Sequence, residues 1–183
     1  MPIELISAAP GFDDPLGLLS ACHGRIAAQC ATLVRLPEHL KIHGSDDQAM
    51  RVADRVLKYF NTAGKHHHQD EELDLFPMLV SFADYEGNTL MINVIQELQA
   101  DHFVLETLWH PLASILTQII DGQDAIPDAL SVESFVNLHR SHIMKEDDLI
   151  FTYARQKLTP AQNASLGFNM AARRNISTTK NNS

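Results

Sequence analysis

Basic residues and cysteines are both scarce in this 183-residue chain. Against 23 Asp and Glu it carries 14 Lys and Arg, a formal net charge of -9. No basic stripe exists to neutralise phosphates, which excludes nucleic acid as a partner. The two cysteines, Cys22 and Cys30, fall about two turns apart on one predicted helix, too far for a disulfide. Both are expected to be reduced. No apolar run approaches the roughly 20 residues of a membrane span. The opening residues, interrupted by Pro2, Glu4 and Pro10 and lacking a basic stretch, do not read as a secretory signal. Together these gaps lead us to expect a cytoplasmic protein. Strand signals are weak along the whole chain.

Helical periodicity fills that space. A first helix opens at Asp14-Pro15, a capping carboxylate followed by proline at the first helical position. It carries Leu16, Leu19, His23, Ile26, Cys30 and Leu33 on one face, and Pro37 is expected to close it. The second runs from Ser45–Gln48 to about Phe82, with a kink expected near Pro77. Its inward stripe includes Val52, Val56, Phe60, His67, Glu71 and Leu75. The third spans roughly Gly87 to Ile120, with Ile95, Leu98, His102, Leu105 and Trp109 on one face. The fourth runs from about Ser131 to Leu158, presenting Phe135, Leu138, His142, Glu146 and Leu149.

The expected fold class is all-α: an antiparallel up-down-up-down four-helix bundle with a short C-terminal fifth helix. The bundle occupies residues 14–158. The fifth helix opens at Thr159-Pro160 and covers 159–174. Residues 1–13 form an N-terminal extension, and the polar tail 175–183 is expected to be disordered.

Ten histidines are an unusual load, and their placement is ordered. Each of the four long helices has one histidine interrupting its apolar stripe: His23, His67, His102 and His142. On the second and fourth helices a glutamate follows one turn later, as His67xxxGlu71 and His142xxxGlu146, so that each pair points two donors at one spot. A single buried histidine is more often a satisfied core residue than a ligand. Four on four faces, joined by two carboxylates that burial would otherwise penalise by several kcal/mol, point to metal.

The chain also repeats itself. Residues 67–76 align without gaps on residues 142–151, an offset of 75 that superimposes the histidine, the glutamate, a second acidic residue and a phenylalanine. His23 and His102 pair at an offset of 79, giving two helix hairpins related by an approximate twofold. The alignment selects His67 with Glu71 over His68 with Glu72, leaving His66 and His68 as expected rim residues. Imidazole and carboxylate donors together suit iron or manganese; zinc sites more often use cysteine or three histidines.

These residues resemble the hemerythrin and HHE cation-binding family over about residues 14–158. The carriers are Cys22-His23, His67xxxGlu71-Glu72 with Leu75-Phe76-Pro77, Asp101-His102, and His142xxxGlu146 with Phe151. The resemblance implies two non-haem iron ions, joined by two carboxylates and an oxo or hydroxo bridge; a manganese–iron pair is the alternative composition. It assigns the bridges to Glu71 and Glu146, with His23 and His67 on one ion and His102 and His142 on the other. Two positions depart from the oxygen-carrying members. The third helix has His102xxxGlu106 where those proteins have HxxxH, so Glu106 is a candidate ligand or a hydrogen-bond partner of one. The fourth offers Asp147 at the family's HxxxxD spacing as well as Glu146, and the repeat favours Glu146. His110 and His139 lie near the stripes and are expected to support the ligands. Cys22 is expected to pack.

The leading functional expectation is a protein that binds or senses a small molecule (dioxygen, nitric oxide or redox state) at a di-iron centre, with binding favoured over enzymatic turnover and the enzyme question left open. The alternatives are a di-iron enzyme or repair factor, consuming peroxide or nitric oxide or donating iron, and an iron-handling protein without catalysis. Residues 1–13 lack the cysteine that repair-type members carry ahead of the bundle. A sensor would signal through a homodimer or a partner, with the fifth helix as the expected contact.

Overall fold

The computed structural model describes residues 10–176. Residues 1–9 of the expected extension and 177–183 of the expected tail lie outside the described residues. The first helix is Pro15–His43. The second spans residues 47–86, from Asp47–Tyr59 through to Phe76–Glu86. The third is Thr89–Ile120. The fourth spans residues 129–157, from Ala129–Lys145 to Phe151–Lys157, and the fifth is Pro160–Arg173. No strand occurs among the described residues. The first and third helices each pack against the second and fourth, the expected four-helix bundle.

Each helix begins on a side chain that takes up an otherwise unpaired backbone N–H three residues on. Asp14 accepts from Gly17, Asp46 from Ala49, Asn88 from Met91, Asp128 from Ser131 and Thr159 from Gln162. Pro37 does not close the first helix, as the sequence suggested. It sits inside it, and the helix runs on to Gly44, whose φ of 65° suits glycine. The lost backbone bond costs about 3 kcal/mol. Leu36 and Leu40, buried on either side of it, contribute about 1.5–3 kcal/mol each and outweigh that loss.

The polar layer divides the core in two. On one side Leu19, Leu79, Ile95, Leu98 and Phe151 pack together. On the other lie Ile26, Leu33, Phe60, Trp109, Leu112 and Phe135. The third helix is the one described helix that is apolar over a long window. An 18-residue window of it reaches a mean hydropathy of 1.3, apolar enough by length and composition to cross a membrane. Exposed Phe103 and Val104 contribute to that value, while Leu105, Trp109, Leu112 and Leu116 face the bundle core.

The fifth helix lies against the first and second. Gly167 makes this approach possible, because a Cβ there would fall 1.9 Å from the Phe12 carbonyl oxygen. Arg174 forks onto buried Asp70, with Nη2 to Oδ2 at 2.6 Å and Nη1 to Oδ1 at 3.1 Å. Arg173 bonds both Asp70 and Asp74.

Candidate metal centre

The two glutamates of the repeat sit at matching irregularities. The second helix widens into a π-helical turn at Glu71–Leu75 and the fourth at Glu146–Ile150. Both turns begin on the glutamate, and they stand at the 75-residue offset of the repeat. Pro77 follows the first turn, but the second has no proline after it, so proline is not the common cause. Such turns re-aim the residues around them and concentrate at functional sites. Here Phe76 stacks on His102 at 5.9 Å between ring centroids, and Phe151 on His23 at 5.2 Å.

Each carboxylate reaches into both halves of the bundle. Glu71 Oε1 lies 3.2 Å from His67 Nε2, and its Oε2 lies 3.5 Å from His102 Nε2. Glu146 Oε2 lies 3.1 Å from His23 Nε2, and its Oε1 lies 3.2 Å from His142 Nε2. Two groups of donors result: His23, His67, Glu71 and Glu146, and Glu71, His102, His142 and Glu146, each with its donor atoms within 4.8 Å of one another. Two donors at right angles on metal bonds of about 2.1 Å stand about 3 Å apart, close to these spacings.

The donors are buried, and apart from His102 Nε2 and His142 Nε2, which stand 3.0 Å apart within hydrogen-bond distance, they are unanswered. His23 Nε2, both nitrogens of His67, and all four carboxylate oxygens of Glu71 and Glu146 have no hydrogen-bond partner. Leaving one such group unpaired costs about 1–3 kcal/mol, and more for a charge. So many unpaired groups at one point fit a cation that accepts their lone pairs.

The electrostatics of the protein alone agree. Burial, reinforced by the neighbouring Glu146, pushes the Glu71 carboxyl well above the usual range. Burial also pushes Glu146 up, but His142 and His23 together outweigh it and hold Glu146 well below that range. Burial drives His67 well below its ordinary value, keeping its ring neutral and its lone pair available. His23 is opposed by burial yet ends raised, because Glu146 and Asp147 both favour its charged form.

Outer carboxylates set the ring orientations, again by the repeat. Glu72 Oε1 lies 2.8 Å from His102 Nδ1, and Asp147 Oδ1 lies 2.9 Å from His23 Nδ1. A proton on each Nδ1 leaves Nε2 free to face the centre. Asp147 therefore serves as an orienting group in the structure, and the second acidic residue in each copy of the repeat was its sequence signal. Asp101 stands 3.5 Å from His142 Nδ1.

His68 is not the rim residue expected. One of its ring nitrogens falls within 4.8 Å of donors on His102 and His142, and its ring stacks on His102 at 4.1 Å. The stripe pattern hid it because it lies one residue round the helix from His67. Glu106 is exposed and lies outside these donor groups, on the wall of a cleft of about 750 Å3 between the second and third helices. His110 is exposed on the same cleft. His139 is buried, its Nδ1 donates to the Phe135 carbonyl oxygen at 3.1 Å, and burial lowers it to about 4. Cys22 and Cys30 are free and buried, and Cys22 Sγ accepts from Arg25.

Four helices that bring imidazoles and carboxylates to one buried layer define a bundle built to hold metal. The hemerythrin HHE cation-binding domain model matches residues 14–154, and the chain belongs to that family. An uncharacterised protein of Haemophilus influenzae is similar to it, 33% identical over 165 residues that cover 90% of this chain and 92% of that protein.

Proposed function

We propose that the centre holds two non-haem iron ions bridged by Glu71 and Glu146, and that the protein binds or senses a small molecule there. Dioxygen, nitric oxide and a change of redox state are the candidates. One observation carries the reading: each glutamate offers one oxygen to a histidine of either half, and none of those oxygens has a hydrogen-bond partner. His23 and His67 hold one ion, while His102 and His142 hold the other. His68 supplies a third imidazole to the second ion, on the side where the third helix has Glu106 in place of a histidine. Glu72 and Asp147 fix the tautomers of His102 and His23. Two iron ions with open positions supply reversible diatomic binding or one-electron redox change. Phe76 and Phe151 stack on two of the imidazoles, His102 and His23.

Metal analysis of purified protein is expected to give about two iron atoms per chain. Zinc at that level with no iron would overturn the assignment. Glu146→Ala should lose metal together with the charge-transfer absorption of the oxidised form, and retention of both would remove its bridging role. Anaerobic reduction followed by separate exposure to dioxygen, nitric oxide and peroxide then tests the function. A lasting adduct with one gas supports binding or sensing. Sustained turnover of any of the three would replace that reading with an enzymatic one.

A further inference from the structure

The internal repeat breaks at one level of the bundle, and the break lines the large cleft. The second helix widens into a third π-helical turn at Phe60–Gly64, whereas the equivalent stretch of the fourth helix, 135–139, stays α-helical. The same register sets Gly64 against His139 and His68 against Ile143. The cleft of about 750 Å3 includes Gly64, His68 and His139 in its lining and reaches His102 at the centre. A molecule the size of water occupies about 30 Å3 of liquid, so a diatomic gas leaves nearly all of this space unused. Organic ligands fill clefts of roughly 300–1,000 Å3.

The lining states the chemistry of the occupant. Phe60 lies 4.8 Å from Trp109 and 5.1 Å from Phe135, and Trp109 lies 5.5 Å from Phe135, all between ring centroids. Three rings so arranged favour a further aromatic ring beyond simple burial, through edge-to-face and offset contacts. Trp109 Nε1 is committed to Asn61 Oδ1 at 2.8 Å, and His139, 4.4 Å from Phe135, adds a further polar atom beside the rings. Its Nδ1 proton is committed to the Phe135 carbonyl oxygen, so Nε2 carries a lone pair and can only accept. A carboxylate there would set acceptor against acceptor; a hydroxyl would donate.

We propose that this cleft binds a planar aromatic molecule bearing a hydroxyl group, of the phenol class, with its ring against the face that Phe60, Trp109 and Phe135 turn to the cleft and its hydroxyl donating to His139 Nε2. The proposal goes beyond the metal reading and holds for the metal-free protein as well. Trp109 is the single tryptophan of the chain, so its fluorescence reports on the cleft directly.

Phenol, toluene and cyclohexanol are titrated into the full chain, metal-loaded and metal-free, with Trp109 emission and calorimetry as readouts. Phenol should bind saturably in both forms, toluene about five- to tenfold more weakly, and cyclohexanol more weakly than phenol. His139→Phe should weaken phenol by a similar factor and leave toluene unchanged. Ala113→Phe, which fills the cleft from the third helix, should abolish binding of both, and it carries the test if His139→Phe fails to fold. Absence of saturable phenol binding overturns the proposal, as does unaltered phenol binding in Ala113→Phe. Iron uptake measured on the same preparations keeps the two readings apart: full iron uptake without phenol binding removes the cleft ligand alone, and phenol binding by protein that takes up no iron when iron is supplied removes the metal centre alone.

Discussion

At the scale of the residue, the centre is decided by which atoms are left without partners. His67 has both ring nitrogens unpaired and a ring kept neutral by burial, the state a metal ligand requires. Glu106 was the candidate for a further ligand and His68 an expected rim residue, and the structure reverses their places. His68 reaches the donors of His102 and His142, while Glu106 is exposed. His68→Ala is therefore expected to lower metal affinity at one of the two positions by about tenfold or more. Glu106→Ala should keep wild-type metal content. Metal titration of both variants by calorimetry checks the pair, and the opposite ranking would restore Glu106 as the ligand. Six of the residues in the centre were legible from the stripes and the repeat. His68 was not, because helical periodicity treats a neighbour of the stripe as a flank, and only packing against the third helix turns it inward.

At the scale of the element, the second helix is the piece that ties the molecule together. It carries Glu71 on its inner face and Asp70 immediately before it, and Asp70 is buried under Arg173 at the end of the fifth helix and Arg174 just beyond it. The fifth helix is thus clamped one residue away from a proposed bridge. Breaking a buried ion pair by removing one partner costs about 3–5 kcal/mol. The arginines keep some contact with water, so Asp70→Ala is expected near the lower end, about 3 kcal/mol. Urea unfolding measures this loss, and amide exchange should show the fifth helix losing protection ahead of the other four. A loss below about 0.5 kcal/mol, the level of an exposed pair, would mean the clamp is peripheral.

At the scale of the whole molecule, two apolar clusters meet across a layer of histidines and carboxylates in which His67, Glu71 and Glu146 have side-chain atoms without hydrogen-bond partners. Metal should therefore contribute to folding as well as to function. Removing it with a chelator is expected to lower the melting temperature and to loosen the helices first around residues 67–76 and 142–151. Amide exchange of the loaded and stripped protein measures this, and equal protection in both would mean the layer is satisfied without metal. Much of this protein is determined by its sequence alone. Stripes at spacings of three and four dictate four buried helix faces, and capping side chains dictate where each helix begins. The 75-residue repeat dictates that His67–Glu71 and His142–Glu146 do equivalent work. Tertiary structure decided what no local pattern encodes. Pro37 stays inside its helix because burial of Leu36 and Leu40 outweighs one lost backbone bond. Glu72 and Asp147 become orienting groups because the partner histidines lie on other helices. The cleft beside His68 lies where the two halves, alike in their donors, differ in how the second and fourth helices turn. Ligand identity is written in spacing along one helix; access and orientation depend on distances between helices, which only the packed bundle sets.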